Sequence, residues 1–219
     1  MKLPALLLAT LLPPALAGCQ PRHDAMDTTP APHPAVPQGA EVATLGAGCF
    51  WCVEAVYRRL DGVLSATSGY MGGHVDHPTY QQVCGKDTGH AEVVQLVFDP
   101  RRISYRQILD WFWRLHDPTT PNRQGDDVGP QYRSVIFCHS DAQQAAAHAS
   151  RQAAAAHFDA PIVTAITPAA TFWPAERYHQ DFFAQNQSRN TYCRLVIAPK
   201  LKHLNLPPPP DTRGPEAGE

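Results

Sequence analysis

Two cysteines separated by two aromatic residues are the part of the sequence best suited to chemistry. Cys49 and Cys52 are three positions apart, with Phe50 and Trp51 between them. The start of a helix presents unpaired backbone N–H groups and the positive end of the helix dipole, and both favour a thiolate. Because Cys49 lies at the predicted start of a helix, we expect its pKa to be below the usual value of about 8.5. Cys52, one helical turn later, is close enough to attack an oxidised Cys49.

The elements that position this pair can be predicted from the apolar residues on either side of it. Residues 42–45 form an apolar run typical of a strand, and Gly46 and Gly48 interrupt it. The following apolar residues have the spacing of one helix face: Phe50, Val53, Val56, Tyr57 and Leu60. The pattern predicts a strand, a glycine-containing turn that ends in Cys49, and a helix.

The composition excludes several classes of protein. The chain has 219 residues, with 18 basic and 20 acidic side chains and a net charge of -2. This length suits one domain with its own core, and the charge balance gives no basic surface for nucleic acid. The 11 histidines are scattered, and no second Cys-x-x-Cys or His-x-x-x-His pair accompanies Cys49 and Cys52. We therefore expect no metal site.

The N-terminal residues resemble a bacterial export signal. Lys2 precedes a short apolar stretch, residues 3–16, which proline interrupts. The stretch ends in Leu16-Ala17-Gly18-Cys19, which resembles the lipoprotein signal, so that residues 1–18 would be the signal peptide and Cys19 would be acylated. This resemblance implies an exported protein that faces the periplasm from a lipid anchor. Gln20 favours the outer membrane over the inner membrane, and an ordinary secretory signal is the alternative.

Proline-rich segments mark the limits of the folded domain. Residues 19–40 combine several prolines with small and polar residues, a composition that predicts an extended tether. Residues 207–219 begin with four consecutive prolines and are predicted to be a disordered tail. The domain that carries Cys49 therefore spans residues 41–206.

Helix and strand patterns are mixed through this domain. Strands are predicted at residues 62–70, 92–98, 133–138 and 162–167. Helices are predicted after Ser104, at residues 142–157 behind a cap at Ser140 or Asp141, and at residues 176–186. Because strands and helices do not alternate strictly, the prediction is an α+β fold with a mixed β-sheet.

Short motifs along the domain resemble those of one enzyme family, the A-type peptide methionine sulfoxide reductases. The matching blocks follow in the family's order over roughly residues 42–200: Gly48-Cys49-Phe50-Trp51, Gly69-Tyr70-Met71-Gly72-Gly73, Pro78-Thr79-Tyr80, Thr88-Gly89-His90-Ala91-Glu92, Gln124-Gly125-Asp126-Asp127, Gln131-Tyr132-Arg133-Ser134 and Tyr178-His179-Gln180-Asp181. The resemblance implies a two-layer, ferredoxin-like core. It also implies reduction of the S-epimer of methionine sulfoxide, free or within oxidised proteins, and hence a role in protein repair.

The resemblance further implies a role for four side chains around the sulfoxide. Cys49 would attack the sulfur and be left as a sulfenic acid. Glu92 would donate a proton to the sulfoxide oxygen, which requires burial to raise its pKa. Tyr80 and Tyr132 would hold that oxygen with their hydroxyls.

Three more residues would complete the site by the same resemblance. Phe50 and Trp51 would form an apolar pocket for the methyl group of the substrate. Asp127 matches a polar residue near the substrate and its water. His179 is expected to be structural and to form hydrogen bonds within its own Tyr-His-Gln-Asp block.

The thiol that resolves the sulfenic acid can be chosen in two ways. Cys52 is one helical turn from Cys49, and a disulfide between them at a helix start is feasible. Cys193 lies where many members of the family carry a recycling cysteine, but an apolar run follows it here instead of a glycine-rich arm. We favour Cys52 and keep Cys193 as the alternative. No cofactor is expected, and a thioredoxin-like dithiol protein would reduce the disulfide by thiol exchange.

Two other functions would use the same residues differently. A thioredoxin-like thiol-disulfide oxidoreductase would use Cys49 and Cys52 directly, and Glu92 would then be incidental. A lipid-anchored binding module would hold an apolar ligand among the aromatic residues, and its function would not depend on Cys49. Neither hypothesis accounts for the whole set of matching blocks.

Overall fold

A computed structural model describes residues 26–206 of the chain. The predicted signal peptide, Cys19 and the tail at residues 207–219 lie outside the described residues. Within this part of the chain, no helix is both long and apolar enough to cross a membrane.

The regular elements follow the predicted mixture of strands and helices. The strands are β1 (Glu41–Ala47), β2 (Val63–Met71), β3 (Ala91–Phe98), β4 (Arg123–Gln124), β5 (Asp127–Val128), β6 (Ser134–Cys138), β7 (Ala165–Pro168) and β8 (Trp173–Pro174). The α-helices are α1 (Phe50–Tyr57), α2 (Tyr80–Cys84), α3 (Tyr105–Leu115), α4 (Asp141–Ala154), α5 (Phe182–Asn186) and α6 (Ala198–His203). A π-helical turn, Cys193–Ile197, leads directly into α6.

Six strands form one sheet in the order β7-β6-β1-β3-β2-β8. The four central strands, β6, β1, β3 and β2, are antiparallel to one another, whereas β7 runs parallel to β6. In chain order these four strands, with α1 and α3 as the crossovers, form two βαβ units whose strands interleave, which is the ferredoxin-like arrangement. The predicted α+β fold with a mixed sheet is therefore confirmed.

The main core lies between the sheet and the helices on one of its faces. Helices α1, α3 and α4 pack there, and burial of a large apolar side chain contributes about 1.5–3 kcal/mol. The predicted apolar face of α1 is buried as expected. A smaller apolar cluster covers the opposite face of the sheet: Met71, Ala91, Val93, Val135, Phe137 and Phe172.

The helix starts that the sequence predicted have the expected caps. Ser104 accepts a hydrogen bond from Gln107 N, and the Gln107 side chain bonds back to Ser104, which completes a capping box at the start of α3. Ser140 accepts from Gln143 N and is the cap of α4, so Ser140 and not Asp141 caps this helix. These local contacts satisfy backbone N–H groups that have no partner within the helix.

The prediction of one continuous helix at residues 176–186 is wrong. A 3-10 turn, Arg177–His179, comes first, and α5 begins only at Phe182. Between them Asp181 has a left-handed backbone (φ 50°), and its N–H donates to Glu54 Oε1 at 2.9 Å. The Gln180 amide is bonded to both backbone groups of Ser68. Because contacts to other elements use these groups, the chain cannot continue as one helix.

The predicted tether is not free of the domain throughout, because its backbone near residue 30 is hydrogen-bonded to the domain. Ala31 N donates to Ala175 O at 3.0 Å, and Arg177 N donates to Thr29 O at 2.8 Å. Pro30 and Glu176 form an isolated β-bridge between these bonds. The backbone is extended, as its composition predicted, but non-proline residues between the prolines supply hydrogen bonds that hold it to the domain.

Candidate active site

The end of β1 and the start of β3 bring two of the predicted residues together. The two strands are antiparallel neighbours, so the end of β1 and the start of β3 lie side by side at the same end of the sheet. Cys49 follows β1, and Glu92 is the second residue of β3. The Phe50 backbone N–H donates a 3.0 Å hydrogen bond to Glu92 Oε2. The first turn of α1 is thus attached directly to the Glu92 carboxyl group.

A glycine before Cys49 allows a second element to reach the site. Gly48 has a φ of +86°, and a Cβ atom there would lie 2.7 Å from the side chain of Gln124. Only glycine fits both the backbone conformation and the space. Gln124 belongs to the short β4–β5 hairpin, whose second strand begins with Asp127. The close contact therefore places Asp127 beside the two cysteines.

The ionisation of the two thiols differs from the prediction. Cys49 is 7% exposed, and burial raises the pKa of its thiol, with a hydrogen bond to Cys52 and the nearby Glu92 acting in the same direction. The pKa of Cys52 is lowered to about 7, first by its hydrogen bond with Cys49 and then, against the effect of burial, by Lys200. The expected lowering at Cys49 is wrong because loss of water outweighs the helix N-terminus.

Glu92 has the properties of a general acid. Its side chain is buried, and burial raises its pKa to about 8 in spite of the hydrogen bond from Phe50 N. The carboxyl is therefore mostly protonated at pH 7. Since Oε2 accepts the Phe50 N–H, Oε1 is free to carry the proton toward an oxygen atom of a ligand.

Two tyrosine hydroxyls are close enough to Glu92 for its charge to shift the pKa of each phenol. Tyr80 begins α2, and its backbone N–H is anchored to Glu176 Oε1 at 2.8 Å. Tyr132 ends a 3-10 turn, Pro130–Tyr132, that precedes β6. Burial raises the pKa of both phenols, and Glu92 is the next largest cause in each case. Both hydroxyls are therefore neutral donors close to Glu92.

The aromatic residues at the site form a stacked cluster. Phe50 is 1% exposed and lies beneath the site, 5.0 Å from the His179 ring, whereas Trp51 is half-buried. The Trp51 ring stacks on Phe182 at 3.8 Å, and its Nε1–H donates to His179 Nδ1 at 3.0 Å. The indole is thus fixed from two directions and offers an apolar surface. The pocket role of Phe50 and Trp51 stays a prediction.

A hydrogen-bonded tyrosine connects Asp127 to Cys52. The Tyr192 hydroxyl donates to Asp127 Oδ2 at 2.7 Å and lies 3.5 Å from Cys52 Sγ. Its ring meets Trp51 edge to face at 5.9 Å. Asp127 is therefore placed at the thiols through Tyr192, in addition to its position on the hairpin.

The alternative resolving thiol, Cys193, is close to Cys52 but covered. Its side chain is 0% exposed, at the start of the π-helical turn, and its backbone N–H is held by Asn190 Oδ1 at 3.2 Å. Burial raises the pKa of the Cys193 thiol, and the Cys52 charge adds to this effect. Cys52, and not Cys193, is among the groups that shift the pKa of the Cys49 thiol.

Three residues of the site were not predicted from the sequence. His179 orients Trp51 instead of bonding within its own block. Glu176 holds Tyr80 through one carboxylate oxygen and accepts the Tyr70 hydroxyl on the other at 3.0 Å. Tyr192 precedes Cys193 directly, and that position in a cysteine motif is the only local signal that could have identified it.

Residues 26–206 contain neither a disulfide nor a cluster of metal-binding side chains. All five cysteines there are free thiols: Cys49, Cys52, Cys84, Cys138 and Cys193. In the same part of the chain, no group of three His, Cys, Asp or Glu side chains is arranged to hold a metal ion.

Comparisons with known proteins identify the family of this chain. The family model described as peptide methionine sulfoxide reductase matches residues 41–207. The chain is similar to the peptide methionine sulfoxide reductase MsrA of Methanoculleus marisnigri, with 57% identity over 158 residues, which cover 71% of this chain and 95% of the relative. The MsrA of Saccharolobus solfataricus is 54% identical over 162 residues, covering 74% and 91% of the two chains.

Solved structures give the same result. Reduced Mxr1 of Saccharomyces cerevisiae aligns with a TM-score of 0.69 at 36% identity, covering 74% of this chain and 93% of Mxr1. Mxr1 in complex with Trx2 aligns with a TM-score of 0.50 at 27% identity, covering 68% and 89%.

The chain belongs to the peptide methionine sulfoxide reductase family, since the family model covers most of it and relatives exceed 50% identity over nearly their whole length. It is a thiol-dependent reductase of methionine sulfoxide. Membership of this family excludes the two other functions, the thioredoxin-like oxidoreductase and the binding module.

Proposed function

We propose that Cys49 is the nucleophile and Glu92 the acid in the reduction of the S-epimer of methionine sulfoxide. The observation that carries this proposal is the protonated, buried Glu92 carboxyl, fixed by Phe50 N at the turn that presents Cys49. The Cys49 proton passes to Cys52, whose thiolate is its hydrogen-bond partner. The Cys49 sulfur then attacks the sulfoxide sulfur, while Glu92 protonates the departing oxygen.

The products of this step follow from its balance. The Cys49–substrate S–S bond formed in the attack and the S–O bond of the substrate both break as the hydroxyl transfers to the Cys49 sulfur, so methionine leaves with two more electrons on its sulfur and Cys49 becomes a sulfenic acid. Tyr80 and Tyr132 stabilise the oxygen as neutral donors, and Trp51 packs on the methyl group. The preference for the S-epimer follows from the resemblance to the family.

The second half of the cycle restores the two thiols. Cys52 attacks the Cys49 sulfur, water leaves, and a Cys49–Cys52 disulfide forms. A thioredoxin then reduces this disulfide, and the solved complex of yeast Mxr1 with Trx2 supports that type of reductant. The enzyme needs no bound cofactor, because the electrons come from thiols. Oxidised proteins and free methionine sulfoxide are the substrates, which makes protein repair the biological role.

Turnover of separate S- and R-sulfoxide substrates tests these assignments. Wild type, Cys49→Ser, Cys52→Ser and Cys193→Ser are compared with dithiothreitol and with thioredoxin. We expect activity on the S-epimer alone and none in Cys49→Ser. Cys52→Ser should lose thioredoxin-supported turnover, while Cys193→Ser keeps it. The reverse pattern in the last two variants would assign resolution to Cys193.

We also propose that the protein is exported and anchored to the outer membrane through Cys19. The support is the order of Lys2, the apolar stretch and Leu16-Ala17-Gly18-Cys19, followed by Gln20. Acyl chains contribute about 0.8 kcal/mol for each buried CH₂, so several chains on one residue would anchor firmly. Mass spectrometry of the mature N-terminus and fractionation of the two membranes test this, with Cys19→Ser as the control. An unmodified, soluble mature protein would contradict the anchor.

A further inference from the structure

The Tyr192 hydroxyl joins a carboxylate to the thiol that is proposed to resolve the sulfenic acid. It lies 2.7 Å from Asp127 Oδ2 and 3.5 Å from Cys52 Sγ. Asp127 comes from the β4–β5 hairpin and Tyr192 from the segment before the π-helical turn, so three separate elements meet here. Such a chain of groups is a path along which a proton can move.

The direction of the hydrogen bonds follows from the number of protons. A phenol has a single hydrogen to donate, and an ionised carboxylate can only accept. The Tyr192 hydrogen therefore points at Asp127, and the lone pairs of its oxygen face Cys52. Once Cys52 has taken up a proton in the first step, its S–H is the donor of the 3.5 Å contact. The order of donors is Cys52, Tyr192, Asp127.

We propose that Tyr192 and Asp127 form a proton relay that activates Cys52 for attack on the Cys49 sulfenic acid. The Cys52 proton moves to the Tyr192 oxygen as the Tyr192 proton moves to Asp127 Oδ2. The Cys52 sulfur forms a bond to the Cys49 sulfur, the S–O bond of the sulfenic acid breaks, and the hydroxide leaves as water with a proton from solvent. Asp127, half-buried at the hairpin, returns the relayed proton to solvent.

The relay is required because the first step leaves Cys52 protonated. Cys52 takes up the proton of Cys49 during attack on the sulfoxide. The hydrogen bond with the Cys49 thiol, which is the main cause of the lowered pKa of Cys52, is lost when Cys49 becomes a sulfenic acid, so Cys52 is then a neutral thiol. The thiolate, not the thiol, is the nucleophile. The charged or titratable groups that act on Cys52 are Cys49, Lys200, Tyr192, Asp127, Glu92 and Cys193. Among these, Asp127 is the acceptor connected to Cys52 through a hydrogen-bonded hydroxyl.

The test is a single turnover without reductant, and it rests on the proposed function. Reduced enzyme is mixed with S-methionine sulfoxide and quenched over time. Methionine release, dimedone-trapped sulfenic acid and the Cys49–Cys52 disulfide are measured separately. The quantity compared is the ratio of the rate of disulfide formation to the rate of methionine release.

We expect Tyr192→Phe to lower this ratio about tenfold or more at pH 7, since general acid–base catalysis contributes about 10²–10⁴-fold. The defect should shrink as pH rises, because Cys52 then ionises without the relay. Asp127→Asn, which keeps the acceptor oxygen but cannot take up a proton, should lower the ratio in the same way. Tyr105→Phe is the control, because it removes the hydroxyl of another half-buried tyrosine that faces Cys138.

Different failures give different results. An unchanged ratio in Tyr192→Phe and Asp127→Asn, or a loss that is equal at every pH, would overturn the relay alone. A Cys49–Cys193 disulfide in wild type would overturn both the choice of Cys52 and the relay. Absence of methionine release in wild type would overturn the proposed function and the relay with it.

Discussion

Replacing Glu92 with glutamine removes the acidic proton and keeps a side chain of the same size in the same place. The glutamine oxygen can still accept the Phe50 N–H, and the side chain keeps its volume, but it has no acidic proton to give. A lost general acid costs about 10²–10⁴-fold in rate, or roughly 3–5 kcal/mol of activation free energy. We expect the methionine-release step of Glu92→Gln to slow by that factor at pH 7.

The pH dependence of the same step gives a sharper result. Because the pKa of Glu92 is raised to about 8, the fraction of protonated acid falls tenfold for each pH unit well above that value. Wild type should therefore lose activity above pH 8, and Glu92→Gln should lack this alkaline decrease. Single-turnover release of methionine between pH 6 and pH 10 measures both effects. A variant within threefold of wild type, with the same alkaline decrease, would refute Glu92 as the acid.

Stability offers an independent measurement of the same group. The pKa of Glu92 is higher in the folded state than its usual value of 4.5, so folding binds a proton between the two values. The free energy of unfolding should then fall as pH rises from about 4.5 to about 9, and the full loss should reach roughly 4–5 kcal/mol. Glu92→Gln should show a smaller fall. Equal slopes in urea unfolding would mean that Glu92 is not held protonated.

Three further changes have predictable results. Burial raises the pKa of Glu54 to about 7, so Glu54→Gln, which keeps an acceptor for Asp181 N, should match wild-type stability at pH 5 and exceed it by up to roughly 3 kcal/mol at pH 8 in urea unfolding. Gly48→Ala should lose about 1–3 kcal/mol and most of its activity, whereas Gly39→Ala, with a similar φ of +81° and no atom within 4 Å of the added Cβ, should lose less stability and no activity. At pH 7.5 a slow alkylating reagent should label Cys52 before Cys49, because the pKa of Cys52 is lowered and that of Cys49 raised; peptide mapping that found Cys49 labelled first would contradict this order.

Local patterns in the sequence were sufficient to predict helices and strands but not the points at which a helix is interrupted. The apolar spacing after Cys49 predicted α1, and the Ser104 and Ser140 signals predicted the starts of two helices. The break at Asp181 could not be predicted in this way. It depends on Glu54, 127 residues earlier, which draws the Asp181 N–H away from a helical partner.

The positions of the candidate site residues came from the family resemblance, not from local pattern. Cys49 and Glu92 meet only because β1 and β3 pair, and the Trp51–His179 bond joins residues 128 positions apart. No spacing within a window of the sequence carries that information. Resemblance supplied the list of residues, and the structure supplied the partners Glu176, His179 and Tyr192.

Ionisation was the property that sequence position predicted worst. A helix start alone suggested a Cys49 thiolate, but the same fold that brings Glu92 and Cys49 together removes both from water. A thiolate beside a carboxylate at this site would place two negative charges in a medium of low dielectric constant. The neutral pair avoids that cost and leaves Glu92 with the proton that, in the proposed mechanism, it gives to the sulfoxide oxygen.

This arrangement also explains why the active thiols need a route for protons. In the proposed mechanism a neutral Cys49 loses its proton as the substrate arrives, and Cys52, whose lowered pKa leaves it partly ionised at pH 7, is the acceptor. In the proposed mechanism the thiol that accepts this proton is also the thiol that attacks next, so it has to be deprotonated again at each turnover. The contact from Cys52 through Tyr192 to Asp127 connects it to the hairpin that Gly48 allows to approach. In this proposal Gly48 contributes to proton transfer, because its backbone conformation lets the hairpin that carries Asp127 approach Tyr192 and Cys52.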